Sequence, residues 1–243
     1  MKTILMKFAA PLQSWGTNSR FETRQTDFYP SKSAVIGMIS ASLGYKRYET
    51  EKIEKLNNLS FGVRVDQQGK LMKDYHTARK YKKTVEKEVE RTYITNRYYL
   101  EDAIFLVALS GEDMLVEEIE TALKSPYFQQ FLGRRSCPIN YDFILGLENK
   151  DLLDILNSTN WLASQWQKKK IKSKEVDLQA YVDSHLLDNK QIKYRQDRVI
   201  SFSQKDRQFG YRGESFITIK VNNEFFKEKN VQTAHDIFSS LGD

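Results

Sequence analysis

The sequence predicts a mixed α+β fold, and three observations predict it. Apolar runs of strand length recur at Ile4 to Phe8, Phe61 to Val65, Ala103 to Leu109 and Phe143 to Leu147. Between them, Val35, Ile36, Ile39 and Leu43, and then Leu115, Val116, Ile119 and Leu123, fall at helical spacing. With 243 residues the chain is long enough to bury a real core, as one large domain or two small ones.

Each element can be justified in chain order. Lys7 interrupts the N-terminal apolar run, so Ile4 to Phe8 reads as a first strand rather than a signal peptide, and Pro11 ends it because proline cannot donate to a ladder. A polar loop follows. Pro30 then restrains the entry to a helix, Ser31 supplies an oxygen for the free amides of its first turn, and Gly44 is the expected stop. Gly37 inside this helix costs about 1 kcal/mol relative to alanine, so either the helix lies close on a sheet there or another group approaches its backbone. Thr50 to Leu56 is a short amphipathic helix, and Phe61, Val63 and Val65 alternate as a strand.

From Asp66 to Arg97 the connection is too long for a hairpin loop and reads as an insertion. Its part from Arg79 to Arg91 holds six basic and three acidic residues with little to bury, which fits an exposed hairpin, a flexible protrusion or a solvated loop. Order returns at Tyr98 to Leu109, where Ala103 to Leu109 is a buried strand by composition and length; Glu112 to Leu123 reads as a helix, and Phe143 to Leu147 as a further strand. The order strand, helix, strand, strand, helix, strand is the ferredoxin-like (RRM-like), split βαβ plan, here over 1–148, with a thumb insertion at about 66–101.

A smaller β-rich part is expected over 149–221. It opens with a helix, Leu152 to Leu156, and continues through Trp161 and Trp166 to five lysines between Lys168 and Lys174, either a solvated loop or a phosphate-facing patch. Val176 to Val182 alternates weakly. Between Lys193 and Arg212, six basic and two acidic residues interleave with Tyr194, Phe202, Phe209 and Tyr211, a pattern that suits stacking and phosphate contact together. Ser215 to Val221 is the last clear strand, and 222–243 is a tail with one short helical stretch.

A net charge of +6 points to an acidic partner, and nucleic acid or an acidic protein surface both qualify. The single cysteine, Cys137, excludes an internal disulfide and fits a reducing cytoplasm. The three histidines are too scattered for a zinc motif, so no metal and no cofactor is expected. The longest later apolar run, Ala103 to Leu109, falls far short of the ~20 residues a membrane helix needs. A soluble protein with no membrane partner is the expectation.

The chemistry concentrates around Ser31, Lys32 and Ser33 at the first helix start, where free amides, hydroxyls and an ammonium group suit a phosphate. A nucleotide-binding loop is excluded, because the two glycines it requires are here Thr26 and Ser31. A polynucleotide fits better, with Arg20 and Arg24 before the site and Gln13 and Trp15 offering an amide and a flat ring.

With these pieces placed, the sequence resembles the CasD-type subunits of Cascade, the type I-E CRISPR surveillance complex, within the RAMP superfamily. The resemblance covers roughly Met1 to Val221 and rests on four motifs. These are Pro-Leu-Gln-Ser-Trp-Gly at 11–16; Pro-Ser-Lys-Ser-Ala-Val-Ile-Gly at 30–37 with Leu43-Gly44; Asp74-Tyr75-His76-Thr77 followed by Thr95, Arg97, Tyr99-Leu100 and Asp102-Ala103; and Leu-Gly-Arg-Arg-Ser-Cys-Pro at 132–138. Arg207-Gln208-Phe209 with Arg212 is a weaker match.

The resemblance implies a non-catalytic RNA-binding subunit. It would hold the 5′ handle of the CRISPR RNA, cap one end of the backbone subunits and contact the large subunit, meeting target DNA only indirectly. The residues expected to meet RNA are Gln13, Trp15, Arg20, Arg24, Ser31, Lys32, Ser33, Tyr75, His76, Arg97, Arg134, Arg135, Arg207 and Arg212. Arg134 and Arg135 are adjacent, so in extended chain they point opposite ways; one is expected to bind phosphate, and the alternatives are that one pairs instead with an acid inside the protein or that both are structural. Related RAMP proteins of type I-C systems instead cleave CRISPR repeats without metal, using a histidine, a tyrosine and a lysine. Tyr75, His76 and Lys73 or Lys80 are the residues that would supply that chemistry here.

Overall fold

The computed structural model describes residues 1–17, 22–81, 89–188 and 191–226, and in the strand that begins at Val89 the side chains from Arg91 onward. Arg20, the centre of the charged stretch (82–88) and the tail beyond 226 therefore lie outside the described residues. The fold is mixed α+β. In chain order the elements are β1 (Lys2–Ala9), β2 (Leu12–Gln13), β3 (Thr23–Arg24), α1 (Lys32–Ser42), α2 (Thr50–Asn57), β4 (Ser60–Gln67), β5 (Lys70–Tyr81), β6 (Val89–Glu101) and β7 (Ile104–Gly111). There follow α3 (Asp113–Lys124), β8 (Ile144–Glu148), α4 (Leu152–Ser158), α5 (Gln165–Lys170), β9 (Glu175–Asp183), a 3₁₀ turn (Ser184–Leu186), β10 (Ile192–Phe202) and β11 (Arg207–Asn222).

Seven strands make one sheet in the order β10-β11-β9-β4-β7-β1-β8, and β6 pairs with β2, β3 and β5 in a second. The strands of 149–221 thus continue the sheet begun by 1–148, through the pairing of β9 on β4. Among the described residues no helix is long and apolar enough to cross a membrane.

The alternation of strand side chains divides the core into two layers. Ile4, Met6 and Phe8, with Phe61, Val63, Val65, Phe105, Val107 and Leu109, pack beneath α1, α2 and α3. Leu5, Leu106 and Ala108 face the other way and pack with α4, Trp161 and the inner residues of β9 and β11. Gly62 belongs to this second face, where an added Cβ would lie 2.7 Å from Leu152. Arg64 is buried there too. Its guanidinium pairs with Asp66 at 2.7 and 2.8 Å and donates to the carbonyls of Leu156, Thr159 and Asn160, so it satisfies the free C-terminal end of α4.

The first helix starts as its sequence implies. Ser31 is the N-cap and accepts from the Ala34 amide, and Gly44 leaves the helix at φ +75°. The group that approaches Gly37 is the Phe202 ring, 3.3 Å from where a Cβ would stand, so the glycine lets the β10–β11 hairpin lie over α1. The expected buried strand at Ala103 to Leu109 is β7, and Asp102 turns the backbone at φ +53° between it and β6, so that β6 joins the small sheet while β7 lies in the interior of the large one, between β4 and β1. The corner is held by the Asp102 amide on the Pro11 carbonyl and by Gln67, which donates to the Asp102 carbonyl.

The C-terminal strands are fixed to α1 by a buried ionic cluster. Arg212 donates to Asp197 through Nε and Nη2, at 2.8 and 2.9 Å, and to Asp183 and Glu214 at 2.8 and 2.7 Å. Burial opposes the Arg212 charge, and these carboxylates outweigh it, so its pKa lies above the usual value. Lys32 reaches Asp183 at 3.0 Å, yet burial outweighs this pair and draws its pKa below normal. Asp197 also accepts from the Lys32 amide at 2.9 Å, placing a carboxylate at the positive end of α1.

Arg212→Ala would leave Asp183, Asp197 and Glu214 buried without their shared cation. It is expected to lower unfolding free energy by about 3–5 kcal/mol, read from the urea midpoint; a change near zero would show that the cluster does not hold the strands.

Candidate nucleic-acid interface

In the small sheet, β5 alternates exposed and half-buried residues before its end becomes fully exposed. In its β5–β6 ladder, His76 lies opposite Thr95, Asp74 opposite Arg97 and Ala78 opposite Tyr93. Opposed residues share a face, so His76, Ala78, Tyr93, Thr95 and Arg97 all project from one side. The two-residue β3 runs parallel to β6, with Thr23 beside Asn96 and Arg24 beside Arg97, and the Asn96 amide donates to the Glu22 carbonyl at 2.8 Å. Arg24, His76, Ala78, Tyr93, Thr95 and Arg97 together line a cleft of about 200 Å³. The Thr95 hydroxyl lies 3.5 Å from His76 Nδ1. Two guanidinium side chains, an imidazole and a phenol ring on one open face can take phosphate oxygens and a stacked base together.

The segment bearing Arg24 is held from beneath by Arg134. Its Nη2 donates to the Arg24 carbonyl at 2.7 Å and to the Gln25 carbonyl at 3.3 Å, while its guanidinium lies 4.6 Å from the centre of the Tyr99 ring. Arg135, next in sequence, is exposed. The adjacent arginines do point different ways, and the inner one meets backbone carbonyls and an aromatic face rather than an acid. Gly133 permits the turn at φ +82°, where a Cβ would stand on the Ser14 carbonyl oxygen. The loop is closed at its base as well: the Trp15 amide donates to Thr26 Oγ1 at 2.8 Å and the Asp27 amide to the Trp15 carbonyl. Arg195 completes the anchorage through Asp27 at 2.7 Å and lies over the Tyr29 ring. Tyr29 stacks on Tyr181 and donates to Glu214, and burial pushes its pKa well above the usual value.

The other sequence-marked residues fall into two groups. Gln13 and Trp15 are buried. Gln13 donates to the Ala103 carbonyl at 2.7 Å and accepts from Trp15 Nε1 at 3.1 Å, and the indole stacks on Phe8. Ser31 is spent on its cap with Ser33 beside it, and Lys32 and Arg212 point into the ionic cluster, so the helix start read as a phosphate site is held by Asp197. Arg207 is exposed at the start of β11, away from the cleft's lining. Tyr75 is 60% exposed on the opposite face of β5 from His76. The cleft also contains Tyr93, which sequence reasoning does not mark; its signal is the two-residue spacing to Thr95 and Arg97 along one strand face. Among the described residues no cluster of His, Cys, Asp and Glu could hold a metal ion.

A curated relative, the CRISPR system Cascade subunit CasD of Escherichia coli (strain K12), is 33% identical over 159 residues, which is 59% of this chain and 70% of that protein. Among solved structures, a chain titled CRISPR RNA-guided surveillance complex is similar over 98% of both chains, with a TM-score of 0.76 and 26% identity. A second, titled Crystal structure of Cas protein, is 32% identical with a TM-score of 0.65, covering 92% of this chain and 97% of its own. The family model described as CRISPR-associated protein (Cas_Cas5) matches residues 3–213, a span that takes in the small sheet, the cleft, the Arg134 turn and the large sheet as far as the first part of β11. On that match, and on the identity to a curated relative, the chain belongs to the CRISPR-associated Cas_Cas5 protein family.

Proposed function

We propose that this protein is a non-catalytic RNA-binding subunit of a CRISPR Cascade complex in the cytoplasm. It holds the 5′ handle of the CRISPR RNA and caps the backbone subunits. The observation that carries the reading is the cleft of Arg24, His76, Tyr93 and Arg97 on an exposed two-stranded ladder, in a chain similar to a Cascade subunit. Strands β4, β7, β1 and β8, with α1 and α3 in the connections, support a ferredoxin-like body, and β5–β6 supports a thumb that leaves it. On this reading Arg24, His76, Arg97 and exposed Arg135 meet the RNA. Arg134, Gln13, Trp15, Lys32 and Arg212 act from inside by placing the segments that carry the contacts. The backbone and large subunits are its protein partners, and target DNA is met through them.

Repeat cleavage is the weaker reading. A strand sends neighbouring side chains to opposite faces, so Tyr75 and Lys73 project from one side of β5 while His76 and Lys80 project from the other. A base and an acid for one ribose phosphate need to share a site; His76 and Lys80 share a face, but Tyr75 stands on the other one, so the histidine, tyrosine and lysine of that set do not meet at one site.

Arg97→Ala and Arg135→Ala are each expected to weaken binding of the host's CRISPR RNA handle by about 1–3 kcal/mol, with the thermal midpoint unchanged. The slope of log affinity against log salt should become shallower by about 0.7 for each phosphate no longer neutralised. Unchanged affinity in both variants would remove the cleft and the turn from the RNA path. Pure protein incubated with its cognate repeat, with and without divalent metal, is expected to leave it intact; site-specific cutting abolished by His76→Ala would establish the nuclease instead.

A further inference from the structure

The five lysines between Lys168 and Lys174 lie on the other side of the large sheet from α1 and the cleft segment, among elements of the second core layer. They sit at the end of α5 and the start of β9, and their mounting is built rather than loose. Buried Asn223 donates through Nδ2 to the Lys168 carbonyl at 3.0 Å and to the Ile171 carbonyl at 2.9 Å, and its amide donates to the Lys174 carbonyl at 2.8 Å. One asparagine thus braces the run at three points. The Lys168 and Lys169 ammonium groups stand 5.9 and 5.7 Å from the centre of the Phe225 ring. Ile171 turns inward to the core, which leaves Lys169, Lys170, Lys172 and Lys174 outward. Among the described residues no carboxylate pairs with any of the five, although Glu175 adjoins the run and Glu224 follows the bracing asparagine. Trp166, on the same short helix, is 54% exposed.

Unneutralised like charges held together repel one another, and an exposed indole beside them leaves apolar surface in water. Both features suit a partner that brings phosphates at close spacing and flat bases. We propose that Trp166 and the Lys168–Lys174 run form a second polynucleotide site, taking a single strand with its phosphates on the lysines and one base on the indole. Lysine gives point charges without the planar fork of arginine, so the site reads backbone rather than sequence. It shares no residue with the cleft and does not depend on it.

The chain has three tryptophans, and Trp15 and Trp161 are only 3% and 2% exposed, so quenching of indole emission by an added strand reports Trp166. The full chain is titrated at low salt with oligothymidylate or oligouridylate of about 12 nucleotides. Either strand is expected to quench wild type and Arg97→Ala alike, and the tighter of the two shows whether DNA or RNA is preferred. Trp166→Phe should lose the quench. The combined variant Lys169→Gln, Lys170→Gln, Lys172→Gln and Lys174→Gln should need about tenfold more strand or worse, with a salt slope shallower by about 0.7 per phosphate released. No quenching by either strand at low salt, or an unchanged half-saturation point in the four-lysine variant, overturns the proposal. Loss of quenching in Arg97→Ala alone would overturn it too, by assigning the binding to the cleft.

Discussion

The pairing of Arg212 with Asp183, Asp197 and Glu214 is the constraint on which the rest of this structure depends. Asp197 belongs to β10, Asp183 ends β9, and Arg212 and Glu214 stand on β11, so one guanidinium ties three strands. Through Lys32 the same carboxylates hold the start of α1. Isolated, any of these charges would be costly to bury. Together they satisfy one another, and the cost of desolvation is met only if every member is present. The cluster ties β10 and β11 to the start of α1, and farther along the same helix Phe202 meets Gly37.

Arg195 carries that order outward. It is close to Asp197 and Glu214 inside the cluster and reaches Asp27 in the loop before α1. Asp27 is in turn bonded to Trp15, and Arg134 bonds the Arg24 and Gln25 carbonyls. The cleft is therefore placed by a chain of charges that runs from the buried cluster, through Arg195 at 9% exposed, to the partly exposed Asp27. Its own residues come from a ladder that contributes little to either core layer, so they can vary in chemistry without unfolding the domain.

The sequence was legible wherever local physics decides the outcome. The cap at Ser31, the stop at Gly44, the alternation through β4 and the helical spacing in α3 need only near neighbours, and each is where those neighbours put it. The break near Asp102 was marked by the end of the insertion, whereas the division of β6 and β7 between two sheets was not legible, because strand residues look alike whichever sheet they join. Nor was the fate of Lys32. Nothing near it in sequence shows that Asp183 and Asp197 will arrive from the far end of the chain and turn a surface-looking ammonium inward. Gln13 is the same case in neutral form, an amide spent on the Ala103 carbonyl. The cleft was half legible: His76, Arg97 and Arg24 were marked by motif and charge, whereas Tyr93 lay in a stretch that composition alone made look featureless.

The two arginines of the 132–138 turn show how a fold converts sequence adjacency into a division of labour. Gly133 takes a backbone path that a side chain would block against Ser14, and this fixes the direction in which Arg134 leaves the turn. Arg134 must then cover Tyr99 and meet the carbonyls of the Arg24 segment. Its charge is used to hold a neighbour's position, and Arg135 is left exposed on the same turn. A guanidinium mounted this way loses less conformational entropy when a phosphate arrives than one on a mobile loop. The same reasoning applies to Arg24, whose backbone is fixed on both sides. On the proposed reading, the inner member of each motif positions the exposed member, so charge on the surface alone would be a poor guide to where RNA is met.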